Sequence, residues 1–375
     1  MKHFLSGGVA ALAISIMASC AGNSGTAQAS DAADFCATPA AALLQRLHAV
    51  VADSLILFGH HDDTAYGHDW EYTPGRSDVL ETSGSYPALM NWDLGLIELG
   101  DSVQLDGVPF DFIRGEIAAQ HARGGINGIS WHPRNPATGG DSWDTSAAPL
   151  AEATQAGTAL NDTLRAWIGR AADFILSLRD DRGERIPVLF RPWHEHTGSW
   201  FWWGRDHATP EQYKALWRLT REVFDARGVD NVVWVYSPDR VNSIEDYAER
   251  YPGDEYVDVL GADAYHFGGE GGTAEFVDRV QQQLDGARAL AQRNGKIIAL
   301  SETGCEGLDV PGWYTRVLLP VLKANNVAFV CVWRNALHTR KAGHFYAPYK
   351  GHPEEADFKA FASDSSIVMV NRMNK

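Results

Sequence analysis

Short apolar runs and amphipathic segments alternate along the chain after residue 38. Eight runs of six to eight residues are rich in β-branched and aromatic side chains, which is typical of buried strands. They span residues 54–59, 86–92, 125–131, 186–192, 231–237, 256–263, 296–302 and 327–333. Between them, segments such as 156–178, 210–226 and 273–292 place apolar residues three and four positions apart. This spacing predicts helices that pack one face on a sheet.

Alternation of strands and helices favours a parallel sheet covered by helices. Eight strands are the number of a (β/α)8 TIM barrel, and a length of 375 residues suits one such domain. The sequence has no internal repeat and no low-complexity linker after residue 38. We therefore expect a single barrel domain over residues 39–375.

The N-terminal residues have the pattern of a signal peptide for export. Lys2 precedes an apolar stretch over residues 4–17, which is too short for a mature membrane helix but suits a secretory signal. The segment Met17-Ala18-Ser19-Cys20 resembles a bacterial lipobox, in which Cys20 becomes the lipidated N-terminus. The expectation is a signal peptide over residues 1–19, lipidation of Cys20 and a small, polar tether over residues 20–38.

Met17 occupies a lipobox position where Leu is commoner, so a second location stays open. Either the protein is a membrane-anchored lipoprotein in the periplasm or on the cell surface, or it is a soluble periplasmic or secreted protein. Apart from Cys20, the chain has Cys36, Cys305 and Cys331. If one disulfide forms, Cys305 and Cys331 are the expected pair because they would lie on neighbouring strands. Their spacing does not resemble a Cys-based zinc site.

The formal net charge is −16, and no run of Lys or Arg interrupts it. Such a surface repels phosphate backbones and anionic lipid headgroups, so we expect neither nucleic acid nor a lipid surface as a partner, apart from an anchor at Cys20. The chain also has 13 Trp residues. Part of them must fill the core of a barrel, but flat apolar surfaces also suit the C–H faces of neutral sugars.

Barrel enzymes carry their active sites at the C-terminal ends of the strands, and those ends are rich in polar and aromatic residues here. The segments are Gly59-His60-His61-Asp62-Asp63, Asn91-Trp92-Asp93, Trp131-His132-Pro133, Arg191 to Gly204, Asp263-Ala264-Tyr265, Ser301-Glu302-Thr303-Gly304 and Trp333-Arg334-Asn335. A rim with a purely structural role would rarely have this composition.

Two glutamates, Glu195 after strand 4 and Glu302 at the end of strand 7, would face each other across the barrel mouth. Retaining glycosidases need such a pair, with one carboxyl protonated and the other ionised. His194, Tyr265 and Arg191 could surround the pair with hydrogen-bond donors. A retaining glycoside hydrolase is therefore the predicted function.

At these positions the sequence resembles glycoside hydrolase family 26, which consists chiefly of endo-β-1,4-mannanases. The resemblance rests on the run from Arg191 to Gly204, on Glu302-Thr303-Gly304, on Trp131-His132-Pro133 and on Trp333-Arg334. It extends from Phe58-Gly59-His60 to Tyr346-Ala347-Pro348-Tyr349. The family pattern has Met-Asn after the acid/base, where this chain has His196 and Thr197.

The resemblance implies a role for each matching residue and no cofactor or metal. Glu195 matches the acid/base and Glu302 the nucleophile, while His194 and Tyr265 match residues that orient or hydrogen-bond the nucleophile. The expected substrate contacts are His132, Trp333 and Arg334 on the glycone side, Trp200 on the leaving-group side, and in addition Asp263. Trp143 follows strand 3 in a Gly-rich loop and either packs against the domain or stacks on a sugar.

The implied partner is β-mannan or its oligosaccharides, but several alternatives stay open. The same mechanism could act on mixed-linkage glucan or β-1,3-xylan, and a mannanase could cut inside chains or release mannobiose from their ends. A different interpretation is a metal-dependent hydrolase that uses His60, His194, His196 and Asp263. A third is a glycan-binding lipoprotein without catalysis. The sequence alone determines neither the tolerance of galactose branches nor the oligomeric state.

Overall fold

A computed structural model describes residues 38–373. Eight parallel strands form a closed barrel, because β1 pairs with both β2 and β8 and every other neighbour in the series is paired. The strands are β1 (Ile56–His61), β2 (Leu89–Asp93), β3 (Ile126–Trp131), β4 (Val188–Pro192), β5 (Val232–Tyr236), β6 (Val259–His266), β7 (Ile297–Cys305) and β8 (Phe329–Val332). The predicted (β/α)8 barrel is confirmed.

One helix precedes β1, and the helices that follow the strands cover the outside of the barrel. They are α1 (Pro39–Ala52), α2 (Asp78–Ser83), α3 (Phe110–Ala122), α4 (Leu150–Ala153), α5 (Ala159–Leu176), α6 (Pro210–Ala226), α7 (Ile244–Glu249), α8 (Thr273–Asn294), α9 (Leu319–Asn325) and α10 (Glu355–Ser363). The bounds of α6 coincide with the predicted segment because the N-cap residue Thr209 forms a capping box with Gln212 in the first turn of the helix. A π-helical segment, Trp313–Leu318, leads into α9.

The barrel interior is apolar near the N-terminal ends of the strands and polar near their C-terminal ends. Inward positions recur every second residue. Leu57, Leu89, Leu189 and Val259 thus belong to one buried apolar cluster inside the barrel. Further along the same strands, the inward positions are taken by polar residues, namely His61, Asn91, Arg191 and Asp263. This change in polarity locates the functional end of the barrel.

Two elements close the opposite end. Helix α1 contributes Leu43 and Leu47 to the apolar cluster inside the barrel, so it plugs the N-terminal mouth. A short strand β9 (Ile367–Val368), which the sequence patterns did not predict, pairs with the first residues of β1. β1 therefore exchanges hydrogen bonds with β9 at its start and with β2 at its end.

Cys305 and Cys331 were the expected pair if one disulfide formed. Both are buried free thiols, so this disulfide is absent. The Cys305 thiol instead donates to Asp309 Oδ1 at 3.3 Å. Cys20, Cys36, the signal peptide and nearly all of the expected tether lie outside the described residues. Among the helices of residues 38–373, none has both the length and the apolar character that crossing a membrane requires.

Candidate active site

The loop after β4 holds Glu195 on a strained but braced backbone. Trp193 and Glu195 have φ angles of 54° and 53°, in the left-handed region that non-glycine residues rarely occupy. Three hydrogen bonds fix this conformation: Tyr213 Oη donates to the Trp193 carbonyl at 2.8 Å, Trp203 Nε1 to the His194 carbonyl at 2.9 Å, and the Glu195 N–H to the Ser237 carbonyl at 2.8 Å. The surrounding structure therefore determines the direction of the Glu195 side chain.

Trp200 lies directly against the Glu195 carboxyl. Its indole Nε1 donates to Glu195 Oε2 at 2.7 Å, and the Arg240 guanidinium lies 5.3 Å from the centre of the indole ring. The ring also packs over Gly198, where a Cβ atom would come within 2.2 Å of it. A larger residue at position 198 would displace Trp200, which explains the glycine in this loop.

A β-bulge in β7 directs Glu302 into the barrel mouth. Ala262 of β6 pairs with Leu300, but the next residue, Asp263, pairs with Glu302, so Ser301 is an extra residue in β7. Because of the bulge, the neighbours Ser301 and Glu302 both reach polar groups inside the barrel. Ser301 Oγ donates to Asp263 Oδ1 at 2.8 Å, while Glu302 contacts the side chains described next.

Both oxygens of Glu302 accept hydrogen bonds. Tyr265 Oη donates to Oε1 at 2.6 Å, and the Arg191 guanidinium donates to Oε2. His61 Nε2 lies 3.7 Å from the same Oε2. With 4% of its surface exposed, Glu302 is buried, and the two donors fix the plane of its carboxyl group.

Arg191 joins Glu302 to a second buried carboxyl. Its Nη1 lies 2.6 Å from Asp263 Oδ2, and Ser237 donates to the same oxygen. Burial raises the pKa of Asp263 to about 7, although the Arg191 charge acts in the opposite direction. The expectation that Asp263 contacts the substrate is wrong, because Asp263 is fully buried. Its carboxylate instead positions Arg191.

Burial and negative neighbours raise the pKa of Glu195 well above its ordinary value. After burial, the largest contribution is the charge of Glu302, followed by Asp239 and Asp263, while the Trp200 hydrogen bond acts the other way. The two glutamates are therefore close enough to interact electrostatically, and burial and the charge of Glu302 both favour the protonated form of Glu195.

His194 does not hydrogen-bond Glu302, which leaves the orienting role of the two that the family resemblance implied. Its Nε2 lies 3.0 Å from Nε2 of His132, and one of these two nitrogens must carry the hydrogen. His132 in turn bonds Asp93 through Nδ1 at 2.6 Å. Burial lowers the pKa of His132, but Asp93 outweighs it, so the pKa is raised. His194 thus belongs to a chain of buried polar groups that includes His132 and Asp93.

A cavity of about 270 Å³ lies where the sequence predicts that the glycone binds. Trp333 and Arg334 line it, and Trp333 packs against His61 with ring centres 4.3 Å apart and ring planes tilted by 49°. Arg334 is held by Asp106 at 2.6 Å. The cavity is also lined by Asp93, Leu105, His132, Trp143, Lys341 and His344.

Trp143 is half exposed, with 50% of its surface accessible, and it stacks on His132 at 5.6 Å between ring centres. It therefore presents a free aromatic face at the cavity and is not a core residue. This geometry favours stacking of Trp143 on a sugar over packing against the domain, the two interpretations that the sequence left open.

The four residues of the metal hypothesis have separate partners. His60 Nδ1 bonds Asp63 at 2.7 Å, while His194 and Asp263 have the partners given above. His196 is buried between the rings of Tyr213 and Tyr236. Within residues 38–373, no cluster of three or more His, Cys, Asp or Glu side chains is arranged to hold a metal.

Two contributors to the site were not assigned there from the sequence. The sequence places His61 at the end of strand 1 without indicating a role for it, and it does not indicate that Asp106 is the partner of Arg334. The period of two residues along β1 could have indicated that His61 points inward, because Leu57 and Gly59 occupy the same face. Asp106 and Arg334 are 228 residues apart, so no local sequence pattern indicates that they pair.

The profile of glycosyl hydrolase family 26 matches residues 37–303. A mannan endo-1,4-beta-mannosidase of Bifidobacterium adolescentis is 32% identical over 318 residues, which are 80% of this chain and 32% of that protein. The chain thus spans about a third of the length of this relative.

Two solved structures are also similar. A GH26 beta-mannanase from Bacteroides ovatus superposes with a TM-score of 0.85 at 45% identity, covering 90% of this chain and 97% of that one. A modular endo-beta-1,4-mannanase from Cellulomonas fimi gives a TM-score of 0.78 at 32% identity, covering 90% of this chain and 78% of that one.

Proposed function

Because the chain belongs to glycosyl hydrolase family 26, we propose that it is a retaining glycoside hydrolase that cleaves β-1,4-mannosidic bonds in mannan, galactomannan or manno-oligosaccharides. The observation that carries the proposal is the contrast between its two glutamates. Glu302 accepts hydrogen bonds at both oxygens, from Tyr265 and Arg191, whereas the pKa of Glu195 is raised well above its ordinary value. One carboxyl is arranged as an anion and the other as an acid.

In the first step, Glu302 Oε2 or Oε1 attacks the anomeric carbon while Glu195 donates its proton to the leaving oxygen. The glycosidic C–O bond breaks, a glycosyl ester forms on Glu302, and the released sugar carries the proton as a hydroxyl group. The Trp200 indole already donates a hydrogen bond to Glu195 Oε2, so Oε1 is the oxygen that carries the proton to be transferred.

In the second step, the ionised Glu195 takes a proton from water, and the resulting hydroxide attacks the anomeric carbon. The ester bond to Glu302 breaks and its carboxylate is restored between Tyr265 and Arg191. Two displacements at the same carbon retain the β configuration of the sugar.

The substrate class is supported by the relatives, which are named as mannanases, and by the two tryptophans, Trp143 and Trp333, in the lining of the cavity. Trp333 is proposed as the platform for the sugar being cleaved, with His132, Arg334 and Trp143 on the glycone side and Trp200 on the leaving-group side. His194 is proposed to act through His132, as a positioning residue.

Hydrolysis of mannan, galactomannan, lichenan and β-1,3-xylan by the purified protein tests the function, with the Glu302→Gln variant as a control. We expect release of manno-oligosaccharides by the wild type only, and β-anomeric product in NMR spectra recorded within the first minutes. An α-anomeric first product would exclude the retaining mechanism, and a preference for lichenan or xylan would exclude mannan as the substrate.

The proposal includes export and a lipid anchor at Cys20, which the lipobox-like segment before it supports. Expression of the full chain in a bacterium, followed by mass spectrometry of the N-terminal peptide, tests this. A diacylglycerol-modified Cys20 is the expected result, with Cys20→Ser as the control. An unmodified mature N-terminus would favour a soluble periplasmic or secreted enzyme.

A further inference from the structure

Phe267 is the most exposed of the large apolar side chains within residues 38–373, with 62% of its surface accessible. It follows the last residue of β6 and lies two positions after Tyr265. Residues two apart on a strand share a face, and the rings of Tyr265 and Phe267 are 6.3 Å apart, centre to centre. Tyr265 donates a hydrogen bond to Glu302, so Phe267 lies next to the hydrogen-bond partner of that glutamate.

The backbone at Phe267 is fixed although its side chain is free. His266 accepts from Trp313 Nε1 at Nδ1 over 2.9 Å and donates from Nε2 to the Gly269 carbonyl, also over 2.9 Å. The carbonyl of Phe267 packs so closely on Gly272 that a Cβ atom there would lie 1.8 Å from it. The ring is therefore presented to solvent from a rigid base, which reduces the entropy lost when a ligand stacks on it.

Phe267 belongs to the half of the barrel mouth that faces away from the glycone cavity. That cavity is lined by residues after β2, β3 and β8, such as Asp106, His132 and Trp333. In a barrel of eight strands, β6 is the strand opposite β2. A glycan that extended from the cavity across Glu302 would therefore reach the side of the barrel mouth where Phe267 lies.

We propose that Phe267 is a sugar-stacking platform for the leaving-group portion of the substrate, beyond the sugar that Trp200 contacts. Its ligand is a neutral pyranose ring, because the exposed face is flat and apolar and offers no hydrogen-bonding group. The inference rests on the proposed function, since it assigns a further residue of the same cleft that determines which chain lengths are cleaved efficiently.

Two substrates separate this role from a role in the chemistry. Mannohexaose extends into the leaving-group side, whereas the leaving group of 4-nitrophenyl β-mannobioside ends at one aryl ring. We expect Phe267→Ala to lower kcat/KM for mannohexaose by about three- to tenfold, the size of one aromatic stacking contact, and to leave the aryl substrate nearly unchanged. Phe267→Trp should restore the wild-type ratio.

Ile244→Ala serves as the matched control, because it removes another exposed apolar side chain at the start of α7. This variant should leave kcat/KM unchanged for both substrates. Equal losses on both substrates for Phe267→Ala would overturn the proposal, because the ring would then act on Tyr265 and Glu302. Unchanged kinetics on mannohexaose would overturn it as well.

Calorimetric binding of mannohexaose to the inactive Glu302→Ala protein, with and without Phe267→Ala, tests the platform without turnover. The expected result is a weaker Kd when the ring is absent, and an equal Kd would contradict it. If the wild type hydrolyses a glucan or xylan oligosaccharide instead, the mannan assignment alone fails, and the same comparison on that glycan decides the role of Phe267.

Discussion

The indole nitrogen of Trp200 donates a 2.7 Å hydrogen bond to Oε2 of Glu195. This bond lowers the pKa of Glu195, whereas burial and the charge of Glu302 raise it. Replacing Trp200 by Phe keeps an aromatic ring but removes the donor, so the pKa of Glu195 should rise further. Because the acid must be protonated to act, the alkaline limb of the kcat/KM profile should move to higher pH, by up to about one pH unit.

Trp143→Phe is the appropriate comparison for this profile, because Trp143 stacks on His132 and does not hydrogen-bond Glu195. It should raise KM without moving the alkaline limb. An alkaline limb that stays in place in Trp200→Phe would mean that another group limits activity at high pH.

Removal of the nucleophile gives the second prediction. Glu302→Ala should lower kcat on every substrate by on the order of 10⁴-fold or more, because no other carboxylate can form the glycosyl ester. Added azide should restore part of the turnover and yield the α-glycosyl azide, since the small anion fits the space left by the carboxylate. Formation of the β-azide from this variant would contradict the assignment.

Removal of the acid has a different signature. Glu195→Ala should reduce kcat/KM on mannan by about 10²- to 10⁴-fold, the usual contribution of general acid catalysis. Aryl mannobiosides with a dinitrophenol leaving group need no proton, so their glycosylation step should be much less affected. Steady-state and burst kinetics on both substrate types measure the difference. An equal loss on mannan and on the activated glycoside would remove Glu195 from the acid role.

The fold was largely predictable from the sequence, because each strand is a local apolar run that ends in polar residues. The period of two also placed Asp263 and Tyr265 on one face of β6. It could not show that Asp263 is covered, since the covering side chains come from Arg191 on β4 and Ser237 after β5.

The remaining differences have the same origin in distant contacts. The extra residue Ser301 in β7 is accommodated by bonds to Asp263 and Ser237, so no pattern within β7 indicates the bulge. His194 is next to Glu195 in sequence, but its bonding partner His132 lies 62 residues away. Strand β9 is only two residues long and is defined by its pairing with β1.

The buried network around Arg191 gives a prediction on stability. Arg191→Met would leave Glu302 and Asp263 without their shared cation, and breaking a buried ion pair in this way costs about 3–5 kcal/mol. The double variant Arg191→Met/Asp263→Asn removes one of the stranded carboxyls and should recover part of the loss, although activity stays low. Chemical denaturation followed by circular dichroism measures the free energy of unfolding.

Arg185→Met is the matched control, because Arg185 pairs with Asp230 at the surface, where an ion pair contributes about 1 kcal/mol or less. If Arg191→Met were no more destabilising than Arg185→Met, the network would not contribute to the stability of the barrel mouth.

A second buried carboxyl, Asp62, should make the stability depend on pH. Burial raises its pKa to about 7 from an ordinary value of 3.8, with a further contribution from the charge of Asp106. Between those two values the folded protein keeps a proton that the unfolded chain has lost, so the free energy of unfolding falls as the pH rises from about 4 to 7. The difference between the two pKa values corresponds to at most about 4 kcal/mol.

Asp62→Asn preserves the shape and the acceptor for Tyr66 Oη, which donates to Asp62 Oδ2, but it has no proton to lose. Its melting temperature should therefore exceed that of the wild type by an amount that grows from pH 4 to pH 7 and is constant above. Tyr66→Phe should act in the opposite sense, because the tyrosine hydrogen bond lowers the pKa of Asp62. Its loss raises that pKa and extends to higher pH the range over which the free energy of unfolding falls. Thermal denaturation of the three proteins across this pH range measures both effects, and parallel curves would show that Asp62 does not retain its proton in the folded state.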